Sequence, residues 1–441
     1  MKIRIKNLIA FQIYYMLVVN SFISILGLPS MIRYVLDINL ILIMVLSISR
    51  LPTFFKNKNY NKFFLYIVFY VAFTIIVAMA KEVPGGQIFW AVRNNFFFLF
   101  FFMICIDVLH KEDCDRMMKN ILLLHHYNLF CAIIEFFFMG KKNDFLGGMF
   151  GTAQGCNVHL NVYLVVISTY VIVRYLAKLE KVQTLLFVIF SNVALAAASE
   201  LKFYYIELVL IFLFAYLLNR NKGSLKNVYI IVFATIGLIV GFNVLSAVNK
   251  ESLAFFTSLD RFIGYNTQTE FRGVMRINRF TAISQVGTVF LKDKPLLKLL
   301  GMGLGYGEDS KTFAMFNSTF ADHYRMTSYR NLSTSVIMLE TGYVGLIMFA
   351  AIFVAIIFIG NRFKKEHNDF SVNFCQILSL MVIINCAYNA GIRIEIAYLT
   401  FFALSLMFVY KKDFDLEQSQ RLEADTKPDN NKKHSKYIRN P

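Results

Sequence analysis

Three arginines, Arg272, Arg276 and Arg279, follow one another at steps of four and three residues within Glu270 to Leu291. That stretch reads as a helix, because Phe271, Val274, Ile277, Phe280, Ile283 and Val286 recur at three- and four-residue steps. The three guanidiniums then share one face, where they repel each other unless something anionic lies against them. Arginine's planar fork suits phosphate oxygens and stays charged at any working pH. A pyrophosphate is one ligand that fits. A helix lying on anionic lipid, or a solvated face paired with Asp260 and Glu270, fits the same spacing.

Downstream, Gly301-Met302-Gly303-Leu304-Gly305-Tyr306-Gly307-Glu308 places four glycines at alternate positions. Such a loop lets the backbone approach a ligand closely and adopt positive φ. A dinucleotide fingerprint would need a surrounding βαβ unit, and none is visible, so Gly303 and Gly305 are read as shaping an outer loop. Glu340 falls about two turns inside an apolar run, where an ionised side chain is costly and marks a functional candidate. His323 stands as the one histidine between residues 249 and 332. Glu340 and His323 are therefore the two candidates for moving a proton; an ordinary surface position suits His323 equally well. Arg93, Lys202, Asn157, Arg330, Arg393 and Glu395 lie at or beside the ends of other apolar runs.

The elements that must position these residues are set by the solvent. The chain has 441 residues, of which 57% are hydrophobic and only 17% charged, with 47 Phe and 23 Tyr; its mean hydropathy is +0.55. A soluble chain carries about 25% charged residues. The net charge, 45 − 28 = +17, sits mainly in short connectors and in the last thirty residues, a pattern that orients membrane helices and argues against nucleic acid as a partner. No cysteine spacing suggests zinc or a disulfide framework.

A hydrocarbon core about 30 Å thick needs about 20 apolar residues per crossing. Runs near that length predict twelve spans, at 8–28, 33–50, 63–80, 89–108, 120–139, 160–177, 184–199, 203–218, 227–248, 333–360, 373–390 and 394–410. The run at 33–50 contains Arg33 and Asp37 and is the least apolar in character. With the N-terminus inside, every cytoplasmic segment holds at least three Lys or Arg and the opposite short connectors one or two, as the positive-inside rule requires. The expected architecture is an all-α polytopic membrane helix bundle. Helices 1–9 occupy residues 1–248, a large helical outer loop 249–332, helices 10–12 residues 333–410, and a basic, cytoplasmic, disordered tail 411–441. The ionisable residues gather at the outer interface beneath the loop. A transporter should instead place polar groups near the midplane.

On these features the chain resembles the O-antigen ligase/polymerase superfamily, and within it the oligosaccharide repeat-unit polymerases. The shared features are some twelve spans, both ends inside, and one large outer loop late in the chain. Locally, Phe150-Gly151-Thr152 with Asn157, Ala198-Ser199-Glu200-Leu201-Lys202, Gly301 to Gly307, and Asn331 with Leu339-Glu340-Thr341-Gly342 and Gly345-Leu346 resemble the family's motifs. Ligase-type members have His-Asn where this chain has Arg330-Asn331, which leaves the general base unassigned. The resemblance implies a glycosyltransferase of the inner membrane, independent of metal or other cofactor, acting in O-antigen or capsule synthesis. It would transfer a glycan from undecaprenyl pyrophosphate to a new lipid-linked repeat unit, alongside a chain-length regulator and a flippase. Arg272, Arg276 and Arg279, helped by Arg93 and Lys202, would hold the pyrophosphate; Asn157, Gly303, Gly305 and Arg330 would shape the loop or acceptor side. The rival readings are a flippase for lipid-linked oligosaccharides and an O-antigen ligase.

Overall fold

The computed structural model describes residues 4–50, 52, 60–219, 258–271, 274–292, 294–310, 312–367 and 369–426. Apolar runs of the length needed to cross a bilayer fold as helices because an unpaired peptide group costs several kcal/mol in hydrocarbon. They are α1 (Ile5–Leu26), α2 (Ser30–Arg50, opened and closed by 3-10 turns), α3 (Asn61–Ala80), α4 (Gly85–Asn95), α5 (Phe97–Val108), α6 (Lys111–Ile133, continued by the π-turn Ile134–Phe138), α7 (Asn157–Leu176), α8 (Val182–Ala198) and α9 (Lys202–Asn219). Between residues 258 and 332 come α10 (Leu259–Thr267), the paired strands β1 (Glu270–Phe271) and β2 (Val274–Met275), and the short helices α11 (Ala282–Gln285), α12 (Pro295–Leu300) and α13 (Thr319–Tyr324). The bundle closes with α14 (Ser333–Glu366), α15 (Phe370–Tyr388) and α16 (Ala397–Thr426).

Eight of the described helices are long and apolar enough to cross a membrane, and nine if α4 and α5, bent by 46° at their junction, are one span. The helix α8 is apolar but shorter, and α16 is apolar only to Tyr410 before running on as a polar helix. The span expected at 227–248 lies outside the described residues. The run at 33–50 is helical despite its charges, because Arg33 donates to Asn20 of α1 at 2.7 Å and Asp37 is paired to Arg93.

The helices α7 and α15 form the buried centre, packed on each other and on α9, α14 and α16. Around the perimeter, large apolar side chains face outward, Phe137 and Phe138 at 74% and 82% exposure and Leu65, Phe69, Ile76, Leu123, Ile347 and Phe358 with them. An apolar surface of that kind is one a bilayer covers.

One end of the bundle carries ion pairs between connectors and helix ends, among them Lys6–Asp113, Arg50–Asp107, Arg174–Glu180 and His110–Asp413. The described residues between 258 and 332 sit on the other end. Their fold corrects the expectation of one helix from Glu270 to Leu291. Glu270 pairs with Met275 and Phe271 with Val274 as an antiparallel hairpin. The next residues are not helical: Ile277 donates its N–H to Thr327 O at 2.9 Å, and the Gln285 side chain accepts from Asn278 N–H and donates to Arg276 O. Polar side chains that bond nearby backbone compete with a helix in this way. Arg276 and Arg279 therefore share no helical face, and Arg272 lies outside the described residues.

Candidate functional site at one end of the bundle

The site is built on a break in α14. At Gly342 the chain leaves helical geometry (φ 64°, ψ −165°), and a Cβ there would lie 2.4 Å from Leu299 O. Gly301 (φ 73°) packs against the same break, with room for no Cβ beside the Glu340 carbonyl. The glycine-rich loop runs along the opened turn: Met302 N–H donates to Leu339 O at 2.8 Å and Gly303 N–H to Glu340 O at 3.0 Å. Irregular backbone at the end of a span is tolerated where protein satisfies it. The Glu340 carboxylate, 1% exposed, accepts from Gly307 N–H at 3.2 Å, and Tyr329 donates to Gly307 O at 2.7 Å. Burial pushes the Tyr329 hydroxyl well above its ordinary pKa, which keeps it a donor. Glu340 therefore holds the loop from beneath.

Held in this way, the loop delivers Glu308 and Asp309 to the bundle's end. Glu308 is wholly buried. One of its oxygens meets the Arg393 guanidinium at a short ion pair, and the other accepts from Asn94 at 2.8 Å. Arg393 also donates to Asn95 Oδ1 at 2.8 Å. Asn94 and Asn95 stand at the bend between α4 and α5, so that bend supplies side chains to the site. Arg330 reaches Asp309 twice, Nη1 to Oδ2 at 2.5 Å and Nη2 to the backbone oxygen at 3.0 Å. The Nε of Arg330 is buried and has no hydrogen-bond partner among the described residues. Arg93 grips Asp37 with Nε and Nη2 at 3.0 and 2.9 Å, lies over Trp90 at 4.9 Å, and has Glu395 at 3.9 Å.

Trp90, Arg93, Asn94, Glu308, Asp309, Arg330, Arg393 and Glu395 line a cavity of about 340 Å³, together with Ser30, Arg33, Tyr34, Ser310, Thr312, Ala390 and Ile394. Four guanidiniums (Arg33, Arg93, Arg330, Arg393) face three carboxylates (Glu308, Asp309, Glu395), an excess of 4 − 3 = +1. A second cavity of about 570 Å³ adjoins it, lined by Arg325, Ser328, Asn331, Asn317 and Ala314 and sharing Asp309, Ser310, Thr312 and Arg330. Phe316 stacks on Trp90 at 5.0 Å and Gln87 donates to Asn317 O at 3.0 Å, fixing the loop wall onto α4. Fixed guanidiniums around a polar, partly enclosed space can hold a multiply charged oxyanion and strengthen their hold as charge develops on it.

Of the residues singled out from sequence, Arg93, Arg330, Arg393 and Glu395 line this cavity. The remaining candidates are placed elsewhere. Arg279 donates from Nε to Tyr388 O at 3.2 Å and lies over the Tyr388 ring at 4.2 Å. Arg276 is fixed through its backbone N–H to Thr269 O at 2.8 Å and is absent from the lining. Lys202 pairs with Glu200 at 2.9 Å. Glu340 is closed off beneath the loop, and His323 is exposed on α13 with its ring edge-on to Tyr324 at 4.6 Å. Asn157 donates to Asp144 at 2.8 Å and to Ser199 O at 3.3 Å, a structural use. Gly303 and Gly305, at φ 105° and 95°, press against Val83 and the Gln87 backbone and set the height of the loop. Sequence reasoning gave no role to Arg33, Asp37, Asn94, Glu308 and Asp309. The signal for the first two was charge inside an apolar run, which points to partners or function.

No protein-family model matches the chain, and no curated protein matches it in sequence.

Proposed function

We propose that the chain is a polysaccharide polymerase of the inner membrane. It transfers an undecaprenyl-pyrophosphate-linked glycan onto a new lipid-linked repeat unit at the outer face. The observation that carries the reading is the cavity lined by Arg33, Arg93, Arg330 and Arg393 at the bundle end that bears residues 258–332. In this reading there are twelve spans and both termini are cytoplasmic, so the cavity opens to the outside.

Chemically, the acceptor sugar's hydroxyl oxygen attacks the anomeric carbon of the donor glycan. The bond from that carbon to the diphosphate breaks and its electron pair stays on the phosphate oxygen. The charge gathering there is what Arg93 and Arg330 would stabilise, each turning part of its hold from Asp37 or Asp309 to the leaving group. Stabilising such a developing oxyanion by one fixed donor is worth about 10²- to 10³-fold in rate. The donor's polyprenyl chain would lie against the apolar perimeter.

Deleting the gene in its own host tests the reading. A polymerase mutant leaves surface lipid capped with single repeat units. Repeat units trapped inside the cell would indicate a flippase, and full-length polymer retained on its carrier lipid would indicate a ligase.

A further inference from the structure

We infer that Glu395 accepts the proton of the attacking hydroxyl and that His159 holds Glu395 in position; this rests on the glycosyl-transfer reading above. The cavity offers three carboxylates. Glu308 is consumed by Arg393 and Asn94, and it is wholly buried. Asp309 takes Arg330 at 2.5 Å on one oxygen and Arg325 at 3.4 Å on the other. Glu395 differs: its side chain is 30% exposed, and among the described residues its charged neighbours stand back, Arg93 at 3.9 Å from Oε1 and His159 Nε2 at 3.5 Å from Oε2. One oxygen thus faces the cavity's cations and the other is backed by an imidazole.

His159 comes from the first turn of α7 and lies against the Phe150 ring at 5.9 Å. Neither of its ring nitrogens has a hydrogen-bond partner among the described residues, so a small approach of Glu395 would complete the pair. Among the described residues, the charged and titratable groups that act most directly on Glu395 are Arg93 on α4 with Asp37 of α2 behind it, His159 on α7 and Tyr398 on α16; Arg33, Arg330, Arg393, Glu308 and Asp309 share its cavity. Burial raises the Glu395 carboxyl, but His159 and Arg93 outweigh it and hold it down at about 2; a diphosphate that draws Arg93 toward itself removes one of those holds, and the carboxylate becomes a better proton acceptor than in the empty site. The balance is complete: the hydroxyl proton goes to Glu395, the oxygen forms the new glycosidic bond, and the diphosphate leaves with the bonding electrons. Glu395 then returns the proton to water or to the departing phosphate. Glu395 is the catalytic residue and His159 the positioning residue.

The test uses full-length protein in proteoliposomes and lipid-linked repeat units extracted from cells that lack it. Turnover, its pH profile and binding of undecaprenyl diphosphate are measured for wild type, Glu395→Gln, Glu395→Asp and His159→Asn. Glu395→Gln should lose about 10²- to 10⁴-fold in turnover, the range of a positioned base, while binding the diphosphate lipid within about threefold of wild type. Glu395→Asp should retain more turnover than Glu395→Gln. His159→Asn should lose about tenfold in turnover and shift the pH profile of what remains. Near-wild-type turnover in Glu395→Gln, or a folded Glu395→Asp with no more turnover than Glu395→Gln, would overturn the inference and leave the polymerase reading standing. A wild-type protein that makes no longer glycan would overturn that reading, and this inference with it.

Discussion

Glu308 and Arg393, 85 residues apart, meet in a buried ion pair that joins the glycine-rich loop to the connector between α15 and α16. Asn94 and Asn95 at the bend between α4 and α5 complete the contacts of the two partners. Three parts of the chain are thus fastened at one point, directly beneath the cavity.

Breaking that pair leaves a buried charge without its partner, which costs about 3–5 kcal/mol. Arg393→Ala and Glu308→Ala should each lower the unfolding temperature of the purified protein in detergent. The double substitution should cost less than the two losses added together, because neither charge is then stranded. Additive losses would show that the two side chains act independently.

Arg93 and Arg330 should matter to transfer, and Arg279 should not. Arg93→Ala and Arg330→Ala are each expected to reduce polymer formation on membranes by at least about tenfold. Arg279→Ala, which removes a stack on Tyr388, should leave chain length unchanged. Gel analysis of surface polysaccharide from complemented deletion strains reads all three, with protein levels measured in parallel.

The broken turn of α14 gives a sharper structural prediction. Gly342→Ala adds a Cβ at 2.4 Å from Leu299 O at a residue with φ of 64°. Strain of that kind costs at least about 2 kcal/mol, so the variant should unfold at lower temperature or fail to accumulate in membranes. Gly86→Ala provides the control: its Cβ would meet the Phe316 ring at 3.4 Å, an ordinary van der Waals contact, and its stability should stay close to wild type.

Glu340 and His323 can be separated from the chemistry by conservative change. Glu340→Gln keeps an acceptor for Gly307 N–H, so folded protein should retain transfer activity, whereas Glu340→Ala should loosen the loop and lose stability. His323→Ala should be silent in both assays. A folded Glu340→Gln with no transfer would return Glu340 to the list of reacting groups.

The bundle was legible in the sequence because span length follows from bilayer thickness and each apolar run declares itself. The segment between residues 258 and 332 was not. Its apolar residues recur at helical steps, but Gln285 bonds Asn278 N–H and Arg276 O, Asn278 bonds Arg279 N–H, and Thr281 bonds Asn278 O, a competition that periodicity does not register. The site was half visible. Arg93 and Arg330 were singled out for charge at the interface, and the glycine spacing pointed to a shaped loop. Glu308 and Asp309 went unused because a carboxylate at the end of a glycine run looks like solvated loop until a guanidinium from residue 393 is found against it. Glu340 was singled out because charge inside a span signals function by default; the structure shows its carboxylate accepting from the Gly307 amide.

The most direct measurement is transfer itself: purified protein in proteoliposomes, supplied with lipid-linked repeat units extracted from cells lacking it, and the products separated by glycan length. The expected result is glycans of two or more units on undecaprenyl diphosphate with wild-type protein, and loss of those products when Arg93 and Arg330 are both replaced by alanine. Single units that persist unchanged with wild-type protein, or longer glycans made equally well by the double variant, would contradict the assignment of the arginine-lined cavity to glycan transfer.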